Sequence, residues 1–181
     1  MAFPKDKYSI IYADPPWKYP ARRNSGTRFG LGSGGHYEMM STADICELPV
    51  QSISREEAFL LLWTTGPRLP DAMRVIEAWG FKFSTVIFVW IKIGKDGNPR
   101  FGPGYYTGSN AEFVLLGRTR RIYKCNSLSA PQVILAPRGK HSEKPQETRE
   151  RIVKVFGDQP RIELFARERI PGWDAWGDEI D

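Results

Sequence analysis

Short apolar runs alternate along this sequence with segments of helical periodicity. Buried strands are predicted at residues 9–13, 58–63, 81–91, 112–116, 132–136 and 162–165. Helices are predicted from Ser41 or Thr42 to Leu48, from Pro67 to Trp79 and from Lys144 to about Phe156. Strands that alternate with helices are typical of an α/β fold with a largely parallel sheet flanked by helices. Because no repeat or change of composition divides the chain, we expect a single domain over residues 1–181.

The composition narrows the class of protein. Of the 181 residues, 41% are apolar, which is enough for a buried core. No apolar run is long enough to span a bilayer and no secretory leader is recognisable, so we expect a cytoplasmic protein without a membrane partner. Cys46 and Cys125 lack the paired spacing of a zinc site, and we therefore expect reduced thiols and no bound metal.

The basic residues favour a polyanionic partner. The formal net charge is +5, and many of the cations fall in three predicted loops. These clusters are Arg22, Arg23 and Arg28; Arg118, Arg120, Arg121 and Lys124; and Arg138, Lys140 and His141. We expect them to lie beside the active face and to bind nucleic-acid phosphates, while some of these cations are solvated surface only. An aromatic content of 13% leaves rings available for base stacking.

The segment Asp14-Pro15-Pro16-Trp17 follows directly on the first predicted strand. Open α/β sheets bind their ligands at the carboxyl ends of strands, so this position suits a functional motif. The Asp14 carboxylate and a backbone carbonyl held by the rigid prolines would supply two acceptors for the N–H bonds of an aromatic amine. Trp17 offers a ring for base stacking, and Asp14 favours a cationic sulfonium nearby. The alternative is a strand-ending turn in which Asp14 is a cap and Trp17 covers the core.

Two predicted loops flank the strands and are candidates for active-site loops. Residues 18–37 form a polar, Gly- and Arg-rich stretch of roughly 20 residues, longer than most connections in compact domains. Residues 100–110 form a second, Gly- and Tyr-rich loop. Within the first loop, Gly30 to Gly35 matches the dinucleotide-binding pattern G-x-G-x-x-G by letter only, because no strand precedes it directly. We interpret this glycine segment as a lid over the substrate.

Asp14-Pro15-Pro16-Trp17, with Tyr19 close behind, resembles the catalytic signature of the MT-A70 family of adenine-N6 methyltransferases. The similarity continues through His36-Tyr37 with Met40-Ser41, Leu60–Thr64, Lys144-Pro145, Ile162–Arg167 and Trp173–Gly177. In that family the catalytic motif precedes the cofactor-binding strand. The resemblance therefore implies a Rossmann-like S-adenosylmethionine-dependent methyltransferase fold with permuted motif order, and a cofactor near the ends of the strands at 9–13 and 162–165.

The resemblance also implies roles for individual residues. The catalytic set would be Asp14, Pro15, Pro16 and Trp17. The Pro15 carbonyl and the Asp14 carboxylate would both accept hydrogen bonds from the substrate amine. Cofactor contacts would come from Asp14, Lys144, Arg167, Asp178 and Glu179, with Lys144 on the carboxylate of the cofactor and the last three near its ribose. Substrate contacts would come from Tyr19, Arg22, Arg23, His36, Tyr37, Asn110 and Glu112. For Asn110 and Glu112, a solvated turn before a strand is equally compatible with the sequence.

The sequence leaves several functions open. We expect adenine-N6 methylation of nucleic acid, with DNA favoured over RNA as the acceptor. A cytosine-N4 enzyme would use the same acceptor geometry, but Trp17 in place of a tyrosine favours adenine. A non-catalytic nucleic-acid-binding subunit is a third alternative, against which the intact Asp14 argues. A homodimer, or a heterodimer with a related subunit, is a possible assembly.

Overall fold

A computed structural model describes residues 2–19, 39–102, 104, 106–120, 130–139 and 143–180. In chain order its elements are β1 (Tyr8–Ala13), α1 (Thr42–Glu47), α2 (Val50–Ile53), β2 (Ser54–Thr64), a 3₁₀ turn (Gly66–Arg68), α3 (Leu69–Ala78), β3 (Lys82–Ile93), β4 (Ala111–Arg118), β5 (Val133–Pro137), α4 (Gln146–Phe156), β6 (Arg161–Leu164) and β7 (Asp174–Trp176). Every helix in these ranges is too short or too polar to cross a membrane.

The strands form one sheet in the order β5-β3-β4-β2-β1-β6-β7. Neighbouring strands are parallel except at β4, which runs antiparallel to both β2 and β3. The expected α/β architecture with a largely parallel sheet is therefore confirmed. All strands other than β4 end at the same edge of the sheet, and β4 begins there. We call this edge the catalytic edge, because Asp14 directly follows β1 there.

Successive side chains of the central strands point to opposite faces of the sheet, so the core is divided between the two faces. One face packs under α1, α2 and α3, and its buried strand residues include Ile11, Ala13, Leu60 and Leu62. The opposite face packs under α4, and its buried strand residues include Ile10, Tyr12, Leu61 and Trp63. Because both faces are covered by helices, β1 and the second half of β2 are apolar at nearly every position.

Local structure explains where α1 begins and where α3 ends on the first face. Ser41 caps α1, accepting from the Asp44 amide, while the Asp44 carboxylate accepts from the Ser41 amide in a capping box. Helix α3 ends before Gly80, whose φ of 82° is accessible to glycine at little cost. The Trp79 indole donates to the Ile45 carbonyl (2.8 Å) and joins the end of α3 to α1.

The predicted strands and helices are all present, with ends displaced by a few residues. Two elements were not predicted. Helix α2 has four residues and β7 has three, so neither is long enough to show a periodic pattern in the sequence.

Candidate active site

The Asp14-Pro15-Pro16-Trp17 motif leaves β1 and is tied to the start of α1 through Met40. The Met40 amide donates to the Pro16 carbonyl (2.9 Å), and the Lys18 amide donates to the Met40 carbonyl (3.0 Å). Within the motif, the Trp17 amide donates to the Pro15 carbonyl (2.8 Å). Since proline also fixes φ at two consecutive positions, the backbone after Asp14 has little freedom.

Trp17 lies beneath the motif rather than in the open. Its residue is only 7% exposed, and its indole donates to the Trp63 carbonyl (3.2 Å). The Trp63 indole in turn donates to the Tyr12 hydroxyl (2.6 Å), which is fully buried. This corrects the expectation of an open stacking face at Trp17, because packing against the core covers nearly all of the ring. The structure places Trp17 as a rigid support for the motif.

A row of alternating charges runs from Asp14 into the sheet. Lys144 Nζ lies 2.6 Å from Asp14 Oδ2 and 3.4 Å from Glu112 Oε2. The other oxygen of Glu112 pairs with Lys92. Glu112 is the second residue of β4, and the antiparallel direction of β4 brings it to the catalytic edge. The structure therefore excludes a solvated turn for Glu112.

Mutual attraction keeps Lys144 and Glu112 charged although both side chains are largely buried. Burial disfavours the charged form of Lys144, but the carboxylates of Asp14 and Glu112 outweigh it and raise the pKa of Lys144 above its usual value. Burial also acts to raise the pKa of Glu112, but the cations of Lys144 and Lys92 outweigh it and lower that pKa below its usual value. At neutral pH the Lys144–Glu112 pair is therefore fully ionised.

A half-open cavity of about 350 Å³, including its solvent mouth, lies between the ends of β1 and β6. It is lined by Asp14, Pro16, Phe165, Ala166, Arg167, Asp178 and Glu179. Arg167 Nε lies 3.7 Å from Glu179 Oε1 across it. Carboxylates accept hydrogen bonds from hydroxyl groups, and Asp14 adds negative charge beside the motif. These donors and acceptors fit a ribose and a cationic sulfonium.

A family comparison matches residues 8–179 to the MT-A70 model. The chain belongs to the MT-A70 family. It is 36% identical to the Type II methyltransferase M.MunI of Mycoplasma sp, over 98% of this chain and 79% of that protein. It is 26% identical to the human N(6)-adenine-specific methyltransferase METTL4, over 96% of this chain and 37% of that protein. It is 25% identical to the human N(6)-adenosine-methyltransferase catalytic subunit METTL3, over 97% of this chain and 28% of that protein.

Membership of the MT-A70 family confirms the family expected from the sequence and the methyltransferase fold. It also implies use of S-adenosylmethionine. The two strands that the resemblance assigned to the cofactor are direct neighbours, since β1 pairs with β6 from Ile10↔Arg161 to Ala13↔Leu164. In this MT-A70 chain the cavity opens where those two strands end.

The backbone beside the cavity is closely packed. Phe165 has a φ of 61°, which is uncommon for a residue with a side chain and turns the chain sharply after β6. The Ala166 amide donates to the Trp176 carbonyl (3.0 Å). A Cβ added at Gly177 would lie 2.2 Å from the Ala166 carbonyl oxygen and 2.7 Å from its nitrogen. Only glycine therefore lets the two segments approach this closely.

We expect Gly177→Ala to displace the Phe165–Ala166 backbone into the cavity. Cofactor affinity should fall about tenfold or more, with about 1–3 kcal/mol of lost stability from overpacking. Calorimetric titration with S-adenosylmethionine and urea unfolding measure the two effects. Gly66→Ala is the control, since a Cβ there meets no atom within 4 Å. Equal cofactor affinity in the two variants would contradict this account of the cavity wall.

The other predicted site residues fall into two groups. Tyr19 and Asn110 lie at the catalytic edge: Tyr19 shares a 2.9 Å hydrogen bond with Thr65 Oγ1, and the Asn110 carbonyl accepts from the Lys92 amide (2.8 Å). The remaining substrate candidates, Arg22, Arg23, His36 and Tyr37, lie outside the described residues, as does the glycine segment at 30–35.

Two cations of one basic cluster, Arg118 and Arg120, do not lie where we expected them, and the other two, Arg121 and Lys124, lie outside the described residues. Because β4 runs antiparallel, it ends about 17 Å from the catalytic edge, at roughly 3.4 Å per residue from Phe113 to Arg118. Arg118 is opposite Phe59 in the middle of β2, and Arg120 pairs with the exposed Glu56 near the start of that strand. The expectation that Arg118 and Arg120 lie beside the active face is therefore wrong. Arg138, by contrast, follows β5 at the catalytic edge and lies against Gly102.

Two functional candidates were missed from the sequence. Lys92 stands in the second half of β3 among apolar residues, and a cation in such a run was a usable signal for a buried ion pair. Arg68 follows Gly-Pro at a helix start, where a basic residue is ordinary, so its burial in the structure could not have been predicted.

Proposed function

We propose that this chain transfers a methyl group from S-adenosylmethionine to the N6 amine of adenine in nucleic acid, with DNA as the acceptor. The observation that carries the proposal is the position of Asp14, which lines the cavity at the tip of β1 and leads into a rigid Pro-Pro backbone. Family membership gives the reaction class. DNA is favoured because the chain spans 79% of a relative that is a Type II methyltransferase.

An aromatic amine is a poor nucleophile, because its lone pair is delocalised into the ring. Asp14 and the Pro15 carbonyl would accept hydrogen bonds from its two N–H groups, drawing the nitrogen toward tetrahedral geometry and stabilising the positive charge that develops. Pro15 retains capacity for this bond, since a carbonyl has two lone pairs and the Trp17 amide uses one. Lys144 holds Asp14 Oδ2, which leaves Oδ1 for the amine.

When bound, S-adenosylmethionine supplies an electrophilic methyl group. Asp14, Arg167, Asp178 and Glu179 would hold the cofactor beside the motif. Its methyl would pass to N6 while the sulfur keeps the bonding electron pair, and N6 would then lose one proton to water. Asp14 contributes charge and orientation throughout. The buried Trp17 and the backbone bonds to Met40 keep its position fixed, so little reorganisation accompanies the reaction.

The direct test uses the purified protein with methyl-labelled S-adenosylmethionine and four substrates: DNA and RNA oligonucleotides that contain adenine without cytosine, or cytosine without adenine. Digestion to nucleosides and mass spectrometry identify the product. We expect N6-methyladenine from the adenine DNA. Label on cytosine would favour an N4 enzyme, and label on adenine RNA alone would reassign the acceptor. Failure to bind S-adenosylmethionine in calorimetry would favour a non-catalytic subunit.

A further inference from the structure

Arg68 is buried at the start of α3 although it is charged. The residue is 8% exposed, and its guanidinium donates to Asp71 Oδ2 (2.8 Å) and to the backbone carbonyl of Lys18. The same guanidinium carbon lies 4.7 Å from the centre of the Tyr19 ring. One side chain thus contacts two consecutive residues that follow the Asp14-Pro15-Pro16-Trp17 motif.

Tyr19 is held a second time at its other end. Its hydroxyl shares a hydrogen bond with Thr65 Oγ1, directly after β2, so both the ring face and the ring tip are fixed. The residue is nevertheless 37% exposed, which leaves ring surface accessible. Burial raises the pKa of Tyr19, the Glu112 carboxylate adds to this rise, and the cations of Arg68 and Lys144 oppose it. Tyr19 therefore lies within electrostatic range of the charged row at Asp14.

The ion pair with Asp71 does not explain why Arg68 is buried. Arg74 approaches the same carboxylate (3.9 Å) from the same helix while 68% of its side chain is exposed. Withdrawing a guanidinium from water carries a desolvation cost, and Arg68 Nε is buried without a hydrogen-bond partner within the described residues. The contacts that distinguish Arg68 from Arg74 are those to Lys18 and Tyr19.

We propose that Arg68 is a positioning residue for the substrate base, acting through Tyr19. It fixes the Tyr19 ring beside the catalytic edge before the substrate binds, so that the ring is already in position to contact the adenine base. This inference rests on the proposed function for its substrate. A planar guanidinium can stack on the ring and bind the Lys18 carbonyl and Asp71 at once, a combination that lysine cannot reproduce.

The kinetic test compares Arg68→Ala and Arg68→Lys with the matched control Arg74→Ala. We expect kcat/KM for an adenine oligonucleotide to fall between about 10- and 100-fold in Arg68→Ala, through both kcat and the oligonucleotide KM, because the base is misplaced. Arg68→Lys should recover only part of this loss, and Arg74→Ala should match the wild type. The S-adenosylmethionine affinity should be unchanged in all three, which separates positioning from general unfolding.

Two further measurements decide whether the effect passes through Tyr19. In a Tyr19→Ala background, Arg68→Ala should lower kcat/KM little further, because the effects of substitutions at coupled residues are not additive. Fully additive effects of the two substitutions on kcat/KM would overturn the inference. Amide hydrogen exchange at Trp17, Lys18 and Tyr19 needs no substrate and should be about tenfold faster in Arg68→Ala than in Arg74→Ala. Equal exchange would overturn the inference even if the enzyme were active. A wild type that methylates no adenine would instead refute the proposed function, and the exchange result would still decide the role of Arg68.

Discussion

Replacing Asp14 with alanine should reduce methyl transfer by at least about a hundredfold, the usual effect of removing one preorganised group that stabilises transition-state charge. The fold should survive, because the Asp14 side chain lies at the cavity wall and Lys144 retains Glu112 as a partner. Cofactor binding should largely persist. Single-turnover transfer to an adenine oligonucleotide, calorimetry and thermal unfolding measure these three quantities on the same preparation.

Asp14→Asn distinguishes the two contributions of this side chain. It keeps an acceptor oxygen and the side-chain volume but removes the negative charge, so activity above that of Asp14→Ala would measure hydrogen bonding alone. Asp158→Asn is the control, because that carboxylate is 88% exposed and pairs with Arg161, away from the cavity. Turnover by Asp14→Ala above about a tenth of the wild-type value would refute the catalytic assignment.

The position of Asp14 could be predicted from the sequence, but its surroundings could not. An apolar run that stops at Asp-Pro-Pro defines a strand tip, and a strand tip in an α/β sheet is where ligands bind. Periodicity contains no information on which strands are neighbours. The family resemblance placed the cofactor near the ends of the strands at 9–13 and 162–165, and the structure shows that these two strands pair. The pairing of Lys144 with Asp14 spans 130 positions of sequence.

Strand direction was the main source of error. The run at 112–116 predicts a buried strand equally well in either direction, because both directions give the same apolar pattern. Since β4 is antiparallel, Glu112 lies at the catalytic edge and Arg118 at the opposite one. The direction of this one strand therefore gives Lys144 a partner in Glu112 and places Arg118 and Arg120 away from the expected nucleic-acid surface.

Replacing Lys144 with alanine should affect stability, cofactor binding and their dependence on pH together. Without the ammonium, the largely buried carboxylates of Asp14 and Glu112 face each other, and removing one partner of such a group typically costs about 3 kcal/mol. The family resemblance assigns Lys144 to the carboxylate of the cofactor, so the KM for S-adenosylmethionine should also rise. Lys144→Ala should therefore be less stable and bind cofactor more weakly at neutral pH.

Lys92→Met is the matched control for this variant, because Lys92 binds the same Glu112 but is not paired with Asp14. It should lose stability and retain most of its cofactor affinity. Equal cofactor KM values in Lys144→Ala and the wild type would refute the assignment to the cofactor carboxylate, whatever the change in stability.

The pH dependence of Lys144→Ala follows from the directions of the two pKa shifts. The lowered pKa of Glu112 stabilises the wild type above the unfolded value of about 4.3 and ceases to do so as the pH falls through the folded value. The raised pKa of Lys144 stabilises the wild type below the unfolded value of about 10.4, and this stabilisation is lost as the pH rises through the pKa of Lys144 in the folded state. The stability difference between wild type and Lys144→Ala should therefore be largest between these limits and shrink at both extremes. Urea unfolding from pH 3 to pH 11 measures it, and a difference that stays constant across that range would show that the ion pairs do not stabilise this site.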